Sequence, residues 1–163
     1  MKKTALRSSL KKAIVERMNG DATAGYVNPA ALGRGESFDL LTEAGEHQSV
    51  ALEEVRSIYF VGDFKQAHRP ARTTFLSRPK LDGLWVRLQF RDGEVLEGVV
   101  PNDLLGLLDS GVQITPPDLS GNTQRIFIPR SALEEMKVLG VIGVARRKAA
   151  AAADSGQPKL FNE

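Results

Sequence analysis

The clearest alternation of apolar and polar residues lies in residues 84–91. Its apolar members include Val86, Leu88 and Phe90. A period of two is typical of a strand with one buried face. Asp92-Gly93 follows as a turn, because glycine accepts a positive φ without steric cost. A second strand is predicted over residues 94–100, so the segment is a β-hairpin. Gly98 lies inside that second strand, where glycine usually marks a bulge or a bend, and we expect one there.

The same order of elements occurs earlier in the chain, at residues 14–29. A strand leads to Asn19-Gly20, a strong hairpin signal, and a second glycine follows five residues later. The matching glycines are Gly20 with Gly93 and Gly25 with Gly98. The predicted third, fourth and fifth strands are residues 38–41, 49–52 and 58–61 in the first half, and 112–114, 125–128 and 136–139 in the second. We therefore predict a tandem repeat of five-stranded units.

Two alignments of the last strands are open. One pairs the two Ala-Leu-Glu-Glu strings at residues 51–54 and 132–135. The other pairs Val50 with Ile128 and Gly62 with Gly140, and we adopt it because it keeps strand and turn in phase. Chance similarity between two β-meanders is the alternative to a repeat.

These patterns predict a mainly β protein made of two small five-stranded barrels in tandem. The expected parts are a basic arm or short helix at 1–12, a first barrel at 13–64, a linker at 65–82, a second barrel at 83–144 and a helical or disordered tail at 145–163. The alanine run at 149–153 favours helix in that tail, and the Ser-Gly-Gln-Pro sequence that follows ends it.

Composition narrows the class of protein. The chain has 163 residues, of which 42% are hydrophobic and 26% are charged, which is typical of a soluble globular protein. The absence of cysteine excludes disulfides, thiol nucleophiles and cysteine metal sites, and it fits a reducing compartment. No apolar run approaches the roughly 18 residues of a membrane span. We expect a cytoplasmic protein without a membrane partner.

Few residues suggest catalysis or metal binding. The two histidines, His47 and His68, lie in a predicted turn and in the linker, without the spacing of a zinc site. No G-x-S-x-G turn is present, and the glycine-punctuated loop at 33–36 lacks the rest of a phosphate-binding motif. We predict no catalytic residue, no metal and no cofactor, and hence no enzyme.

Two sets of residues are candidates for binding. The loop at 116–125 is longer than a hairpin needs, and long ordered loops often carry recognition. The candidate interaction residues are Asp118, Asn122, Arg125 and Arg130. Alternatively, Asp118 and Asn122 hold the loop through its own backbone, with Arg125 paired to Asp118. The candidate basic patch consists of Lys11, Lys12, Arg69, Arg72 and Arg78; the alternative is that these cations only keep an arm and a linker solvated.

The strand, Asp-Gly turn and internal glycine of residues 86–100 resemble the first half of the Sm motif of the Sm and Hfq RNA-binding proteins. The resemblance implies Sm-like or SH3-like small barrels behind a basic N-terminal helix, with residues 2–12 as its counterpart. The RNA-binding elements of that family are absent: residues 52–54 read Leu-Glu-Glu and residues 129–131 read Pro-Arg-Ser. RNA binding is therefore not carried over.

Residues 58–143 also resemble an uncharacterised bacterial domain found with signalling and regulatory proteins. The resemblance rests on the Phe90–Gly98 pattern, the Pro116–Phe127 pattern and a final A-L-x-x-M-x-V-L. It implies a module and not an enzyme. We expect a non-enzymatic interaction module that docks a protein partner through a strand edge or through the 116–125 loop. The alternative is an RNA- or DNA-binding protein that uses the basic arm and linker. The oligomeric state stays open.

Overall fold

A computed structural model describes residues 9–107, 109–118 and 121–143. The described chain is mainly antiparallel β, with ten strands. They are β1 (Lys11–Arg17), β2 (Ala22–Val27), β3 (Ser37–Thr42), β4 (His47–Ala51), β5 (Val55–Val61), β6 (Gly83–Phe90), β7 (Val95–Val100), β8 (Gly111–Ile114), β9 (Thr123–Pro129) and β10 (Leu133–Ile142). One short helix, α1 (Leu104–Leu107), precedes β8, and single 3-10 turns span Pro29–Ala31, Leu52–Glu54 and Arg130–Ala132.

The predicted ends of the chain lie largely outside the described residues. The helix expected over 1–12 cannot extend through Lys11 and Lys12, because both belong to β1. The tail at 145–163 falls outside the described part altogether.

The strands form two antiparallel sheets. The larger has the order β4-β3-β2-β1-β5-β9-β8, and the smaller has the order β10-β6-β7. Neither sheet closes into a barrel within the described residues. The expected division into five and five strands is replaced by seven and three, because β9 hydrogen-bonds to β5 and carries β8 with it. Only an isolated bridge between Val99 and Thr115 connects β7 to the β8 hairpin.

Strand pairing follows the same register in both halves of the chain. In the hairpins β1–β2 and β6–β7, the facing pairs are Ala13–Gly25 and Val86–Gly98. Between first and fifth strands, they are Val15–Ile58 and Leu88–Met136. A register shift follows at the same place in each half, so that Arg17 faces Val55 and Phe90 faces Leu133. The two 3-10 turns at Leu52–Glu54 and Arg130–Ala132 fit the alignment of Gly62 with Gly140 and not that of the Ala-Leu-Glu-Glu strings.

Of the two features expected at Gly98, a bulge or a bend, the strand pairing shows that the bulge is absent. The pairing of β6 with β7 continues through Gly98 without a shift. A Cβ atom at Gly98 would lie 2.7 Å from Cδ1 of Ile114 on β8. At Gly25, the counterpart, a Cβ would lie 2.7 Å from Cδ1 of Leu40 on β3. Both glycines are therefore sites of close approach by the third strand.

The buried side chains form two apolar clusters that meet at β5 and β9. Tyr59 and Ile126 belong to the cluster that includes β6 and β7, whereas Phe60 and Phe127 belong to the cluster of β1 to β4. All seven residues of β5 are buried. Each of the two strands thus packs on both faces, which makes their junction the centre of the molecule.

Candidate functional site

The most unusual local feature is a buried pair of charges beside the β1–β5 junction. Glu16 of β1 is 5% exposed and Arg56 of β5 is 7% exposed. Their charged atoms lie 3.6 Å apart. Arg56 also donates to Asp92 at 2.7 Å and to Glu94 at 2.8 Å, both at the β6–β7 turn. Its guanidinium lies over the ring of Phe90, 3.9 Å from the centroid.

The linker supplies the remaining partners of Glu16. His68 Nε2 lies 3.2 Å from Glu16 Oε2, and Arg69 Nε donates to the same oxygen at 3.2 Å. Arg69 Nη2 donates to Glu16 Oε1 in a short hydrogen bond. Arg69 also lies 3.3 Å from Glu94. We call Glu16, Arg56, His68, Arg69, Asp92 and Glu94 the ion network.

The ion network shifts the pKa of several members. Burial by itself would raise the pKa of Glu16, but hydrogen bonds from Arg69 and His68, with the charges of both arginines, leave it below the ordinary value. A hydrogen bond from Arg56 lowers the pKa of Asp92. Burial raises the pKa of Tyr59, and the nearby charge of Glu16 adds to the rise. All of these shifts keep the carboxylates ionised and the phenol neutral at neutral pH.

The ion network connects separate parts of the fold through buried charges. Both oxygens of Glu16 are occupied by cations of the protein, so neither is available as a base or a ligand. The network connects β1, β5, the linker and the β6–β7 turn. It also removes Arg69 from the predicted basic patch, because its charge is neutralised within the protein. Among the described residues, no cluster of three metal-ligating side chains occurs.

A second buried carboxylate, Glu97 of β7, holds another part of the linker. It accepts hydrogen bonds from the indole Nε1 of Trp85 at 3.1 Å and from the backbone N–H of Phe75 at 3.1 Å. Arg87 lies 3.2 Å away. Trp85 is therefore tied to the sheet by its polar atom. The sequence signal for this site is a Glu in the middle of a strand, between Leu96 and Gly98.

Two residues predicted in the 116–125 loop, Asp118 and Asn122, line one small cleft with the linker. Asn122 binds the start of the linker: its Oδ1 accepts from the N–H groups of Gly62 and Asp63, and its Nδ2 donates to the carbonyl of Asp63. Arg130 donates to the carbonyl of Leu107. Asn122 therefore has a structural role, as the alternative for it proposed, but it holds the start of the linker and not the backbone of its own loop.

Asp118 lies near Asn122, and both line a small cleft against the linker. A Cβ at Gly121 would lie 3.2 Å from the Asp118 carboxylate. Arg125 and Arg130 line other clefts, and the Arg125 guanidinium lies 3.5 Å from Gln113 Oε1 on β8.

The predicted basic patch is divided, but three cations come together. Lys11, Lys12 and Arg125 line a cleft of about 480 Å³ whose walls include Tyr26 and Phe60. Arg78 donates to the carbonyl of Val141 at 2.7 Å, and Arg72 is exposed in the linker. We call the first group the basic cleft. The basic cleft contains Arg125 from the predicted interaction loop, and Lys11 and Lys12 from the predicted basic patch.

A smaller cleft of about 360 Å³ lies between the β2–β3 connection and the segment that joins β7 to β8. Gly33 and Asp109 lie next to each other in its lining, since a Cβ at Gly33 would lie 3.3 Å from the Asp109 side chain. Ser110 Oγ donates to the carbonyl of Gly35 at 3.2 Å. The apolar part of the lining includes Leu32, Val99, Leu107, Ile114 and Phe127, and the charged part consists of Asp103, Asp109 and Arg125.

Four strands end the two sheets: β4 and β8 in the larger, and β10 and β7 in the smaller. The bridge between Val99 and Thr115 connects β7 to the end of β8, whereas β4 and β10 have no strand on their outer side among the described residues. β10 is ten residues long, and Val138 and Val141 are 53% and 45% exposed on it. A long edge strand with exposed valines is a ready acceptor for another strand.

Fold and surface together define a class: an antiparallel β protein of two joined sheets with open strand edges. Residues 9–140 match the family of unknown function DUF6982, and the chain belongs to that family. No curated protein and no solved structure matches the chain. Within the described residues, no helix has the length and apolar character needed to cross a membrane.

Proposed function

We propose that this protein is a non-enzymatic interaction module built from two copies of one five-stranded unit, and that it docks its partner by strand addition at β10. The observation that carries the proposal is the exposure of Val138. The corresponding residue of the first half is Phe60, which faces Ala13 as Val138 faces Val86. Phe60 is 5% exposed and Val138 is 53% exposed. Phe60 packs in the apolar cluster that includes Phe127 of β9, whereas no strand pairs with the outer side of β10 among the described residues.

Strand addition suits this edge on physical grounds. A partner strand would satisfy the main-chain groups of β10, and side chains of alternate residues would supply specificity. The 116–125 loop supports docking less well, because Asn122 and Arg130 already bind the protein's own backbone. A β10 edge is therefore the better of the two surfaces that the sequence suggested.

Site-specific photo-crosslinking in the native host tests the proposal. A photoreactive residue replaces Val138 in one variant and Val95, a 37% exposed valine on β7, in the control. We expect a discrete crosslinked adduct from position 138 and none from position 95. Position 138 without any adduct, in a protein that circular dichroism shows to be folded, would refute the proposal.

A second candidate function, nucleic-acid binding, is favoured by the basic cleft. Lys11, Lys12 and Arg125 line this cleft together with the partly exposed ring of Tyr26, and a base stacked on an aromatic ring with phosphate contacts beside it is the common mode of single-strand binding. Titration with RNA and DNA oligonucleotides at low and high salt tests this candidate, with Arg125→Glu as the variant and Arg72→Glu as the control. Binding that weakens steeply with salt and that only Arg125→Glu abolishes would support it. The absence of binding at tens of micromolar would dismiss it.

A further inference from the structure

We infer that the strand which pairs with β10 is β4 of a second copy of this chain, so that the protein associates head to tail. The inference rests on the proposed function, because it requires β10 to be a docking edge. The junction between β5 and β9 inside the molecule carries it.

The internal junction joins a fifth strand of one half to a fourth strand of the other. β5 and β9 pair antiparallel, with Ile58 facing Phe127, Tyr59 facing Ile126 and Phe60 facing Arg125. The junction leaves unpaired one fourth strand, β4, and one fifth strand, β10. β4 is the counterpart of β9 and β10 is the counterpart of β5, and β5 and β9 already pair with each other inside the molecule.

The correspondence extends to single residues. Strand β10 pairs with β6 in the register in which β5 pairs with β1, including the shift near the start of the strand. Met136, Lys137 and Val138 thus occupy the positions of Ile58, Tyr59 and Phe60. In the fourth strands, Val50 faces Phe38 as Ile128 faces Val112. His47, Gln48 and Ser49 therefore occupy the positions of Arg125, Ile126 and Phe127.

Transferring the internal register to the open edges gives a specific pairing between two copies. Met136 faces Ser49, Lys137 faces Gln48 and Val138 faces His47. No pair sets like charges opposite each other, which would oppose association. Glu46 lies diagonally from Lys137, within reach of a favourable charge interaction. The β4 edge is more polar than β9, so main-chain hydrogen bonds make a larger share of this contact.

The linker limits the open part of β10. Arg78 binds the carbonyl of Val141, which occupies the far end of the strand. Met136 to Val138 remain paired only with β6 among the described residues. These are the residues that pair with β4 of a second copy when the register between β5 and β9 is repeated at the open edges. Because the contact uses two different edges, each added copy leaves the same edges open, and growth ends only in a ring or continues as a fibre.

Engineered disulfides test the pairing directly, because the chain has no cysteine of its own. Facing residues of antiparallel strands have Cα atoms about 4.5–5.5 Å apart, within the range of a disulfide. His47→Cys and Val138→Cys are made as separate variants and mixed under mild oxidation. We expect a crosslinked dimer in the mixture and little in either variant alone. His47→Cys mixed with Val141→Cys is the off-register control and should not crosslink.

Analytical ultracentrifugation gives a second readout that does not depend on disulfide geometry. We expect the wild-type protein to sediment as a concentration-dependent assembly, Val138→Lys as a monomer and Val95→Lys as wild type. A wild-type protein that stays monomeric at tens of micromolar overturns the inference. So does a Val138→Cys variant that crosslinks efficiently to itself, since that shows a β10–β10 contact.

The two proposals fail in distinguishable ways. If photo-crosslinking at position 138 captures a different protein and the wild type is monomeric, β10 is a docking edge but its partner is not a second copy. If position 138 captures nothing, both proposals fall. An adduct of twice the chain mass together with the mixed disulfide supports both.

Discussion

Single residues decide where neighbouring strands come close. At Gly98 and Gly25, a residue of the third strand passes directly over the glycine, and there is no room for a methyl group. Glu16 and Arg56 show the opposite case, because they bring full charges into a buried place and need each other and the linker to remain there. At the scale of single residues, the fold depends on two glycines that have no side chain and on buried charges that are paired.

Gly98→Ala should destabilise the protein by about 1–3 kcal/mol, the usual cost of overpacking. The new Cβ would lie 2.7 Å from Ile114 Cδ1 and 2.8 Å from Ile114 Cβ, so Ile114 must move. Urea denaturation measures the effect. Gly35→Ala is the matched control, since no atom lies within 4 Å of its added Cβ, and its stability should remain near wild type. Equal stability of the two variants would contradict the close-approach explanation.

Elements show most clearly what the sequence could predict. Period-two alternation and the turns at Asn19-Gly20 and Asp92-Gly93 predicted both hairpins, because these are local signals. Gly20 and Gly93 have φ of 94° and 91°, as such turns require. A 3-10 turn precedes the fifth strand in each half, at Leu52–Glu54 before β5 and at Arg130–Ala132 before β10.

The pairing of β5 with β9 could not be predicted in the same way. Which edge a strand chooses depends on distant surfaces, and nothing in the residues of β5 distinguishes β9 from any other apolar strand. Glu16 and Arg56 were missed for a related reason. The alternation along their strands predicts that both side chains face solvent. In the structure the linker covers that face, so both faces of β1 and β5 are buried.

Asn122→Ala should loosen the linker. The variant removes the acceptor for two N–H groups, at Gly62 and Asp63, and the donor to the carbonyl of Asp63. An unsatisfied buried group costs about 1–3 kcal/mol, and the half-exposed position places this variant near the lower end. We expect a lower urea midpoint and faster protease cleavage within residues 64–82.

The matched control for that variant is Asn102→Ala, at an exposed asparagine in the turn after β7. It should cleave at the wild-type rate. If Asn122→Ala is cleaved no faster than Asn102→Ala, Asn122 does not restrain the linker.

The whole molecule combines these ties into one cooperative body. The larger sheet takes strands from both halves, and the ion network joins β1 and β5 to the β6–β7 turn through the linker. Neither half therefore keeps its contacts without the other. The stability of the entire chain should respond to the protonation of a few carboxylates.

Stability should fall in acid as the ion network is protonated. The pKa values of Glu16 and Asp92 are lower in the folded protein than their ordinary values. The unfolded chain therefore binds protons first as pH falls, so their contribution is complete above the ordinary carboxyl range of about pH 4. It is lost progressively below that range as pH falls through the folded pKa values. Urea midpoints from pH 7 to pH 2.5 measure this loss.

Glu16→Gln separates the contribution of one carboxylate. At neutral pH the free energy of unfolding of the variant should be about 3 kcal/mol lower than that of the wild type, which is the lower end of the cost of breaking a buried ion pair. The lower end applies because Arg56 keeps two other carboxylates. Its urea midpoint should also depend less on pH between the ordinary carboxyl range and pH 2.5. A wild-type pH profile in this variant would show that Glu16 is not the titrating group.

The β5–β9 junction also has a consequence for biosynthesis. Three strands and the linker separate its two members in the sequence, so β5 leaves the ribosome long before β9 exists. During that interval the nascent first half presents an apolar edge that its own residues do not cover, and such edges attract other chains. Elongation speed through residues 62–122 and the supply of chaperones should therefore govern how much of the newly made protein reaches its native form.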